Sequence, residues 1–104
     1  MSDQIAISNL IYEYARRIDS GDFDGIGELF KRGKIIFKDS QQITETSGSK
    51  EIKELYEKTT RLYDDGTPRT HHATTNITIL IDSNSASTFS YYTVFQQLEN
   101  LPLQ

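Results

Sequence analysis

Residues 69–82 read RTHHATTNITILID and form the clearest strand pattern in the chain. Threonine and isoleucine dominate the segment, and turn-forming residues flank it. Both histidines of the protein lie in it, and because side chains alternate along a strand, His71 and His72 point to opposite faces. One face is predicted to hold His72, Thr74, Asn76, Thr78 and Leu80, and the other to hold His71, Ala73, Thr75, Ile77, Ile79 and Ile81. The polar character of the His72 face is typical of a strand that lines a wet pocket or meets solvent.

The amino-acid composition is that of a globular protein and excludes several classes of function. The chain has 104 residues, 36% of them hydrophobic and 25% charged, which predicts one globular domain. Its net charge of −4 argues against a nucleic-acid partner, which would require a basic face. The absence of cysteine excludes disulfides and thiolate chemistry. No apolar run is long enough for a membrane span, and no secretory leader pattern is present, so we expect a cytoplasmic protein.

Helical patterns precede the histidine strand. The apolar residues of the first helix recur along a single stripe. Gly21 is expected to end this helix in the left-handed conformation, and Asp22 to cap the next helix. The predicted elements are helices at 4–18, 23–31 and 49–63, a strand at 34–38, and a loop at 39–48.

A second long strand is predicted at 86–98, after a short turn. The two long strands therefore make an antiparallel hairpin. Alternation places Phe89, Tyr91, Thr93 and Phe95 on one face and Ser90, Tyr92, Val94 and Gln96 on the other. Helices followed by consecutive strands indicate an α+β fold. Three strands are too few to cover three helices. Either a partner is expected to complete the sheet, or the sequence is shorter than its fold.

This order of elements resembles the SnoaL-like group of the nuclear transport factor 2-like superfamily. The resemblance rests on Tyr14-Ala15, on IDSGDFD at 18–24, on THHATTN at 70–76, and on a second long strand that ends near Phe95-Gln96. It implies a single domain over 1–104 in which a curved, cone-shaped, mixed or antiparallel sheet wraps about three helices and encloses a pocket. Relatives continue into two further strands, so the resemblance also implies that this chain is truncated at its C-terminus.

The resemblance supplies catalytic candidates. Dehydratase-type members place an aspartate after the first helix and a histidine at the start of the following long strand, which match Asp19 and His72. Asp19 is predicted to act as base, His72 as acid or as the group that orients it, and Tyr91 as a donor to a carbonyl. The hypothesis requires Asp19 and His72 to lie within hydrogen-bond reach, directly or through one water. These relatives use a further histidine on the next strand, which this chain lacks.

Other side chains are candidates for ligand contact. Tyr14 and Tyr56 can offer phenolic donors, although aromatic residues at helical spacing more often belong to a core. Asn76 can orient a substrate oxygen, or it can satisfy backbone groups at a bulge. Phe95 is a further candidate. His71 is expected on the outer sheet face, at a homodimer contact.

Two functions are therefore open. The first is an acid–base enzyme of the lyase or isomerase type, such as a dehydratase or cyclase, acting without cofactor or metal on a small hydrophobic carbonyl or hydroxy compound. The alternative is a non-catalytic ligand-binding or dimerisation domain of the same fold. No metal is expected, because the histidines face opposite ways and the acidic run at 19–24 has Lys31 where a calcium loop needs glutamate. A homodimer through the outer sheet face is expected in either case.

Overall fold

The computed structural model describes residues 3–97. These residues form three helices and two antiparallel hairpins, which confirms the α+β prediction. The helices are α1 (Asp3–Asp19), α2 (Phe23–Leu29) and α3 (Ser49–Thr59), and the strands are β1 (Lys34–Lys38), β2 (Ile43–Ser47), β3 (Thr70–Asp82) and β4 (Ser85–Gln96). The end predicted for the last strand at residue 98 lies outside the described residues.

The turn between α1 and α2 forms as its sequence predicts. Gly21 has φ 76°, in the left-handed region that glycine adopts without steric cost. A side chain there would also collide with the carbonyl oxygen of Gly66. Asp22 caps α2, since its Oδ1 accepts a hydrogen bond from the Gly25 N–H at 2.9 Å. The turn therefore brings α2 back against α1 and leaves Asp19 at the end of its helix.

The third helix is shorter than predicted. It ends at Thr59 and the chain becomes extended at Thr60, whereas the sequence pattern continues to residue 63. Tyr63 belongs instead to the turn before β3, since its N–H donates to the Thr67 carbonyl oxygen at 2.8 Å and its own carbonyl oxygen accepts the Gly66 N–H at 2.9 Å. The guanidinium groups of Arg61 and Arg69 contact its ring at 4.4 and 4.5 Å from the centroid.

The loop predicted at 39–48 is wrong in part. Residues Ile43–Ser47 form β2, which pairs with β1 from Lys38↔Ile43 to Lys34↔Ser47. Only Ile43 is apolar there, so the strand was not recognised from hydrophobic alternation, although its two threonines favour strands. The described strands therefore form two separate two-stranded sheets instead of one sheet of three strands.

The hydrophobic core joins the three helices to the first hairpin. Its buried members are Ile18 on α1, Phe23 and Ile26 on α2, and Ile52 on α3. Partly buried side chains pack around them, namely Tyr14, Phe30, Ile35 and Tyr56. The core thus lies beneath the ends of α1 and α3 and fixes the position of both helices.

A β-bulge interrupts the long hairpin. On the turn side, Asp82 pairs with Ser85 and Thr78 with Phe89, but beyond Asn76 the register shifts so that Thr75 pairs with Tyr91. Asn76 has φ 56°, which asparagine tolerates better than most residues. Asn76 therefore lies at a bulge, and contact of its side chain with a ligand oxygen stays a prediction.

The bulge also corrects the predicted faces of β3. Directly opposed residues lie on the same face of a sheet, so Thr78 shares a face with Phe89. Phe89 in turn lies on the same face of β4 as Tyr91, which is opposite Thr75. Thr78 and Leu80 therefore lie on the face of His71, not on the face of His72, because the extra residue at the bulge exchanges the two faces.

We expect Ile52→Ala to lower the free energy of unfolding by about 2–5 kcal/mol, since Ile52 is fully buried and its truncation leaves a cavity. The matched control is Ile43→Ala, because Ile43 is 70% exposed and should change stability by less than about 0.5 kcal/mol. Urea unfolding followed by circular dichroism measures both. Equal losses in the two variants would contradict this position of the core.

Candidate functional site

A cavity of about 810 Å³ lies between α1, α3 and the inner faces of the two hairpins. Helix residues such as Ile11 and Leu55 and strand residues such as Phe37 and Val94 make much of its wall apolar. None of the described residues that line it is Asp, Glu, Lys or Arg. Because a charge is costly to bury without a partner, such walls favour an uncharged, largely apolar ligand.

Asp19 connects the end of α1 to the start of β3. Its Oδ1 accepts hydrogen bonds from the Thr70 hydroxyl at 2.8 Å and lies 2.7 Å from His72 Nδ1. Its Oδ2 accepts the backbone N–H of His72 at 2.8 Å. The α1 C-terminus is a poor place for a carboxylate, because the helix dipole is negative there. Three donors from one strand compensate for this and hold Asp19 in a single orientation.

His72 presents its ring to the cavity while Asp19 holds it from behind. The His72 side chain is 13% exposed and that of Asp19 22%. An ionised carboxylate only accepts hydrogen bonds, so Nδ1 of His72 carries the proton in their contact. In the neutral ring this leaves Nε2 unprotonated, with a lone pair directed away from Asp19. The contact with Asp19 thus orients the His72 ring and leaves Nε2 as its free hydrogen-bond acceptor.

A pair of tyrosines forms another polar part of the cavity wall. The hydroxyl oxygens of Tyr14 on α1 and Tyr56 on α3 lie 2.6 Å apart, and both side chains line the cavity. Burial raises the pKa of Tyr14, and the hydrogen bond with Tyr56 raises it further. Burial also raises the pKa of Tyr56, while the bond from Tyr14 lowers it. Both phenols therefore keep their protons, and since one hydrogen bond uses one proton, the other remains for a ligand acceptor.

The rings of the two tyrosines belong to the core, while their hydroxyl groups reach the cavity. Tyr14 packs edge-on against Phe30, with ring centroids 5.9 Å apart, and Tyr56 packs against Phe23 at 6.2 Å. The core role and the ligand-facing position that the sequence left as alternatives thus coexist in the same two side chains.

Tyr92 is the tyrosine of β4 that faces the cavity. It pairs with Thr74, lines the cavity beside His72, and stacks on the His72 ring with centroids 5.9 Å apart and planes at 30°. The tyrosine predicted from the sequence to face the cavity is its neighbour, Tyr91. Tyr91 pairs with Thr75 on the outer face, is 70% exposed, and does not line the cavity. It cannot donate to a ligand there, so its expected role disagrees with the structure.

The cause of this error is the bulge. The ladder starts from the two-residue turn, where Asp82 is opposite Ser85. If it continued without a bulge, His72 would pair with Phe95, and Tyr91 would lie on the same face as His72. The one-residue shift pairs His72 with Val94 instead. Asparagine within a threonine- and isoleucine-rich strand was the available signal, since it tolerates the left-handed conformation that bulges use.

The remaining candidates lie away from the cavity. Phe95 is on the outer face, where it contacts the His71 ring edge-on with centroids 6.2 Å apart. Asn76 lines a shallow depression beside the N-terminal half of α1, with Gln4 and Tyr12. Phe95 and Asn76 therefore do not meet a ligand in the main cavity. Thr70 is not among the residues predicted from the sequence, yet it lines the cavity and donates its hydroxyl hydrogen bond to Asp19.

Comparison with known proteins identifies the family. A family model described as a SnoaL-like domain matches residues 1–100. The chain therefore belongs to the SnoaL-like domain family of the nuclear transport factor 2-like superfamily, which includes ligand-binding members and some enzymes. No curated protein and no solved structure matches the chain.

Two further findings concern the part of the chain that the structure describes. None of its helices is long and apolar enough to cross a membrane. Within residues 3–97, no three or more His, Asp or Glu side chains are grouped so that they could hold a metal ion. The cytoplasmic location expected from the sequence stays a prediction.

We expect neutral His72 to carry its proton on Nδ1, and Asp19→Asn to shift it towards Nε2, because the asparagine amide can donate to an unprotonated Nδ1. Nitrogen-15 spectra of the imidazole rings in mildly alkaline buffer distinguish the two tautomers. His71 is an internal control, since it has no contact with Asp19 and its signals should not move. A wild-type His72 with its proton on Nε2 would rule out orientation by Asp19.

Proposed function

We propose that the cavity binds a small, uncharged, largely apolar carbonyl or hydroxy compound and that His72 performs acid–base chemistry on it. The observation that carries this proposal is the 2.7 Å contact between Asp19 Oδ1 and Nδ1 of a histidine that lines the cavity. It meets the geometric requirement for a paired carboxylate and imidazole. The reaction class is that of a dehydratase, cyclase or isomerase, and it needs no cofactor or metal.

In this proposal His72 is the group that moves the proton, and Asp19 is its positioning residue. Both carboxylate oxygens of Asp19 already accept hydrogen bonds from β3, so Asp19 is poorly available as a base towards the ligand. Nε2 of His72 takes a proton from the carbon next to the ligand carbonyl. In a β-hydroxyketone it then returns the proton to the departing hydroxyl group, so that water leaves and a carbon–carbon double bond forms. In a β,γ-unsaturated ketone it returns the proton to the γ-carbon, so that the double bond moves into conjugation with the carbonyl.

The tyrosine pair supplies the second half of the reaction. Removal of a proton next to a carbonyl places negative charge on the carbonyl oxygen. The phenol proton that the Tyr14–Tyr56 hydrogen bond leaves unused can be donated to this oxygen. The raised pKa of each phenol keeps this donor protonated, burial being the main cause for both. Tyr14 and Tyr56 thereby replace Tyr91 as the proposed carbonyl donors.

The alternative is a binding domain that retains the cavity without a reaction. The described part of β4 contains no histidine, whereas dehydratase-type relatives carry one on this strand. A binding domain needs the apolar walls and the tyrosine pair but not an unprotonated Nε2. The two functions therefore differ in their dependence on His72.

We expect His72→Asn to lower turnover of a cyclic β-hydroxyketone or β,γ-unsaturated ketone by about 10²–10⁴-fold while binding changes little. Asparagine retains a donor for Asp19 but has no basic nitrogen at the position of Nε2. A panel of such compounds is assayed for binding by calorimetry and for conversion by proton NMR. His71→Gln is the control, because His71 lies on the outer face and its variant should keep full turnover.

Each outcome separates the two functions. Turnover that is equal in wild type and His72→Asn would exclude His72 as the acid–base group. Binding by both proteins without turnover by either would favour the binding domain. Failure of the wild type to bind any compound of the panel would contradict the ligand class inferred from the cavity walls.

We also propose that the outer face of the long hairpin forms a homodimer contact. Phe89, Tyr91 and Phe95 share this face and are 66%, 70% and 39% exposed. The chain exposes 7874 Å², roughly a third more than the about 6,000 Å² expected of a folded monomer of 11.9 kDa. A second copy packed on these aromatic side chains would cover part of this excess.

We expect Phe89→Lys to shift the protein from dimer to monomer, because it places a charge in the middle of the proposed contact. Sedimentation equilibrium at micromolar concentration measures the association. Ile43→Lys is the control, since Ile43 is equally exposed but lies on the other hairpin. A wild-type protein that sediments as a monomer, or an Ile43→Lys variant that dissociates to the same extent, would contradict the contact through β3 and β4.

A further inference from the structure

We propose that Tyr92 is a positioning residue which fixes the plane of the His72 imidazole, so that Nε2 stays directed into the cavity. This inference rests on the proposed acid–base role of His72 and adds a second restraint on its ring. Asp19 holds one nitrogen of the ring, and Tyr92 covers one face of it.

One hydrogen bond does not define the orientation of an imidazole. Hydrogen bonds tolerate a broad range of angles at the acceptor, so the His72 ring can tilt while Nδ1 stays within reach of Asp19. An aromatic ring beside the imidazole narrows this freedom, because it occupies the space into which the His72 ring would tilt on that side. Tyr92 is such a neighbour, with its plane within 30° of the imidazole plane. The bond and the stack therefore restrain different motions of the same ring.

The position of Tyr92 follows from the backbone. Thr74, its partner across the ladder, is two residues from His72 on β3, so both rings project from the same face of the hairpin. Diagonal neighbours of this kind lie within reach of aromatic side chains. The pairing depends on the register shift at the bulge, since an unbroken ladder would place Asn76 opposite Tyr91.

Tyr92 also lies close to the proposed carbonyl donors. Burial is the main cause of the raised pKa of Tyr14 and of Tyr56, and the charge of an ionised Tyr92 would raise both further. Tyr92, His72 and the tyrosine pair therefore line the same cavity.

The role belongs to the ring of Tyr92 and not to its hydroxyl group. Among residues 3–97, the Tyr92 hydroxyl has no hydrogen-bond partner, in contrast to the bonded hydroxyls of Tyr14 and Tyr56. Tyr92→Phe should consequently preserve the function, whereas an aliphatic side chain should not. Tyr92 is 70% exposed, so its replacement is not expected to impair folding.

The test compares Tyr92→Phe, Tyr92→Leu and Tyr92→Val with Tyr91→Leu. Tyr91 is the matched control, because it is adjacent, equally exposed, and on the opposite face. Proton NMR of the protein without ligand records the His72 ring resonances, which the neighbouring aromatic ring shifts. We expect these resonances to move in Tyr92→Leu and Tyr92→Val and to stay in place in Tyr92→Phe and Tyr91→Leu.

Turnover of the ketone panel gives a second measurement. We expect kcat to fall by about ten- to a hundredfold in Tyr92→Leu, with KM little changed, and to be retained in Tyr92→Phe. Unmoved His72 resonances in both aliphatic variants would overturn the proposal, as would an equal loss of kcat in Tyr92→Phe. If the resonances move as expected but the wild type converts no compound, the stack stands and the acid–base function fails.

Discussion

The carboxylate of Asp19 joins the helical part of the protein to the long hairpin. It is the last residue of α1, and all three of its partners come from Thr70 and His72 at the start of β3. Because the two backbone segments are more than 50 residues apart in sequence, this contact closes a large loop of chain. Removal of the carboxylate would leave the three donors of β3 without an acceptor, and the cavity would lose the alignment of its two walls.

The positions of Asp19 and His72 were predictable from the sequence, because each depends on residues that are close to it in the chain. The glycine and aspartate of the turn at 20–22 define the end of α1, and so they place Asp19. The threonine and isoleucine pattern defines β3 and the opposite directions of its histidines. The errors were in features that depend on contacts between segments. Strand β2 is stabilised by its pairing with β1, and beyond α3 the backbone of Tyr63 is hydrogen-bonded within the turn that precedes β3.

The identity of the aromatic residue beside His72 was not predictable from alternation, since alternation defines faces within a strand and not the register between strands. Within β4 the pattern correctly separated Tyr91 from Tyr92. Which of the two tyrosines shares the face of His72 depends on the register between β3 and β4. The bulge at Asn76, whose φ is 56°, sets this register and places Tyr92 on the face of His72. An error of one residue therefore exchanged the whole inner face for the outer face.

The bulge has a consequence for how this hairpin responds to a change in its length. Deletion of Asn76 would remove the extra residue of β3 and leave Thr75 opposite Tyr91 and Thr78 opposite Phe89. His72 and Tyr92 would therefore still face the cavity, and the core and the Asp19 contact would be untouched, because neither involves β4. The strand would lose the local bend and the added twist that a bulge provides. A change of one residue in length at this point thus alters the curvature of the wall and the shape of the cavity, while the residues that line the wall stay the same.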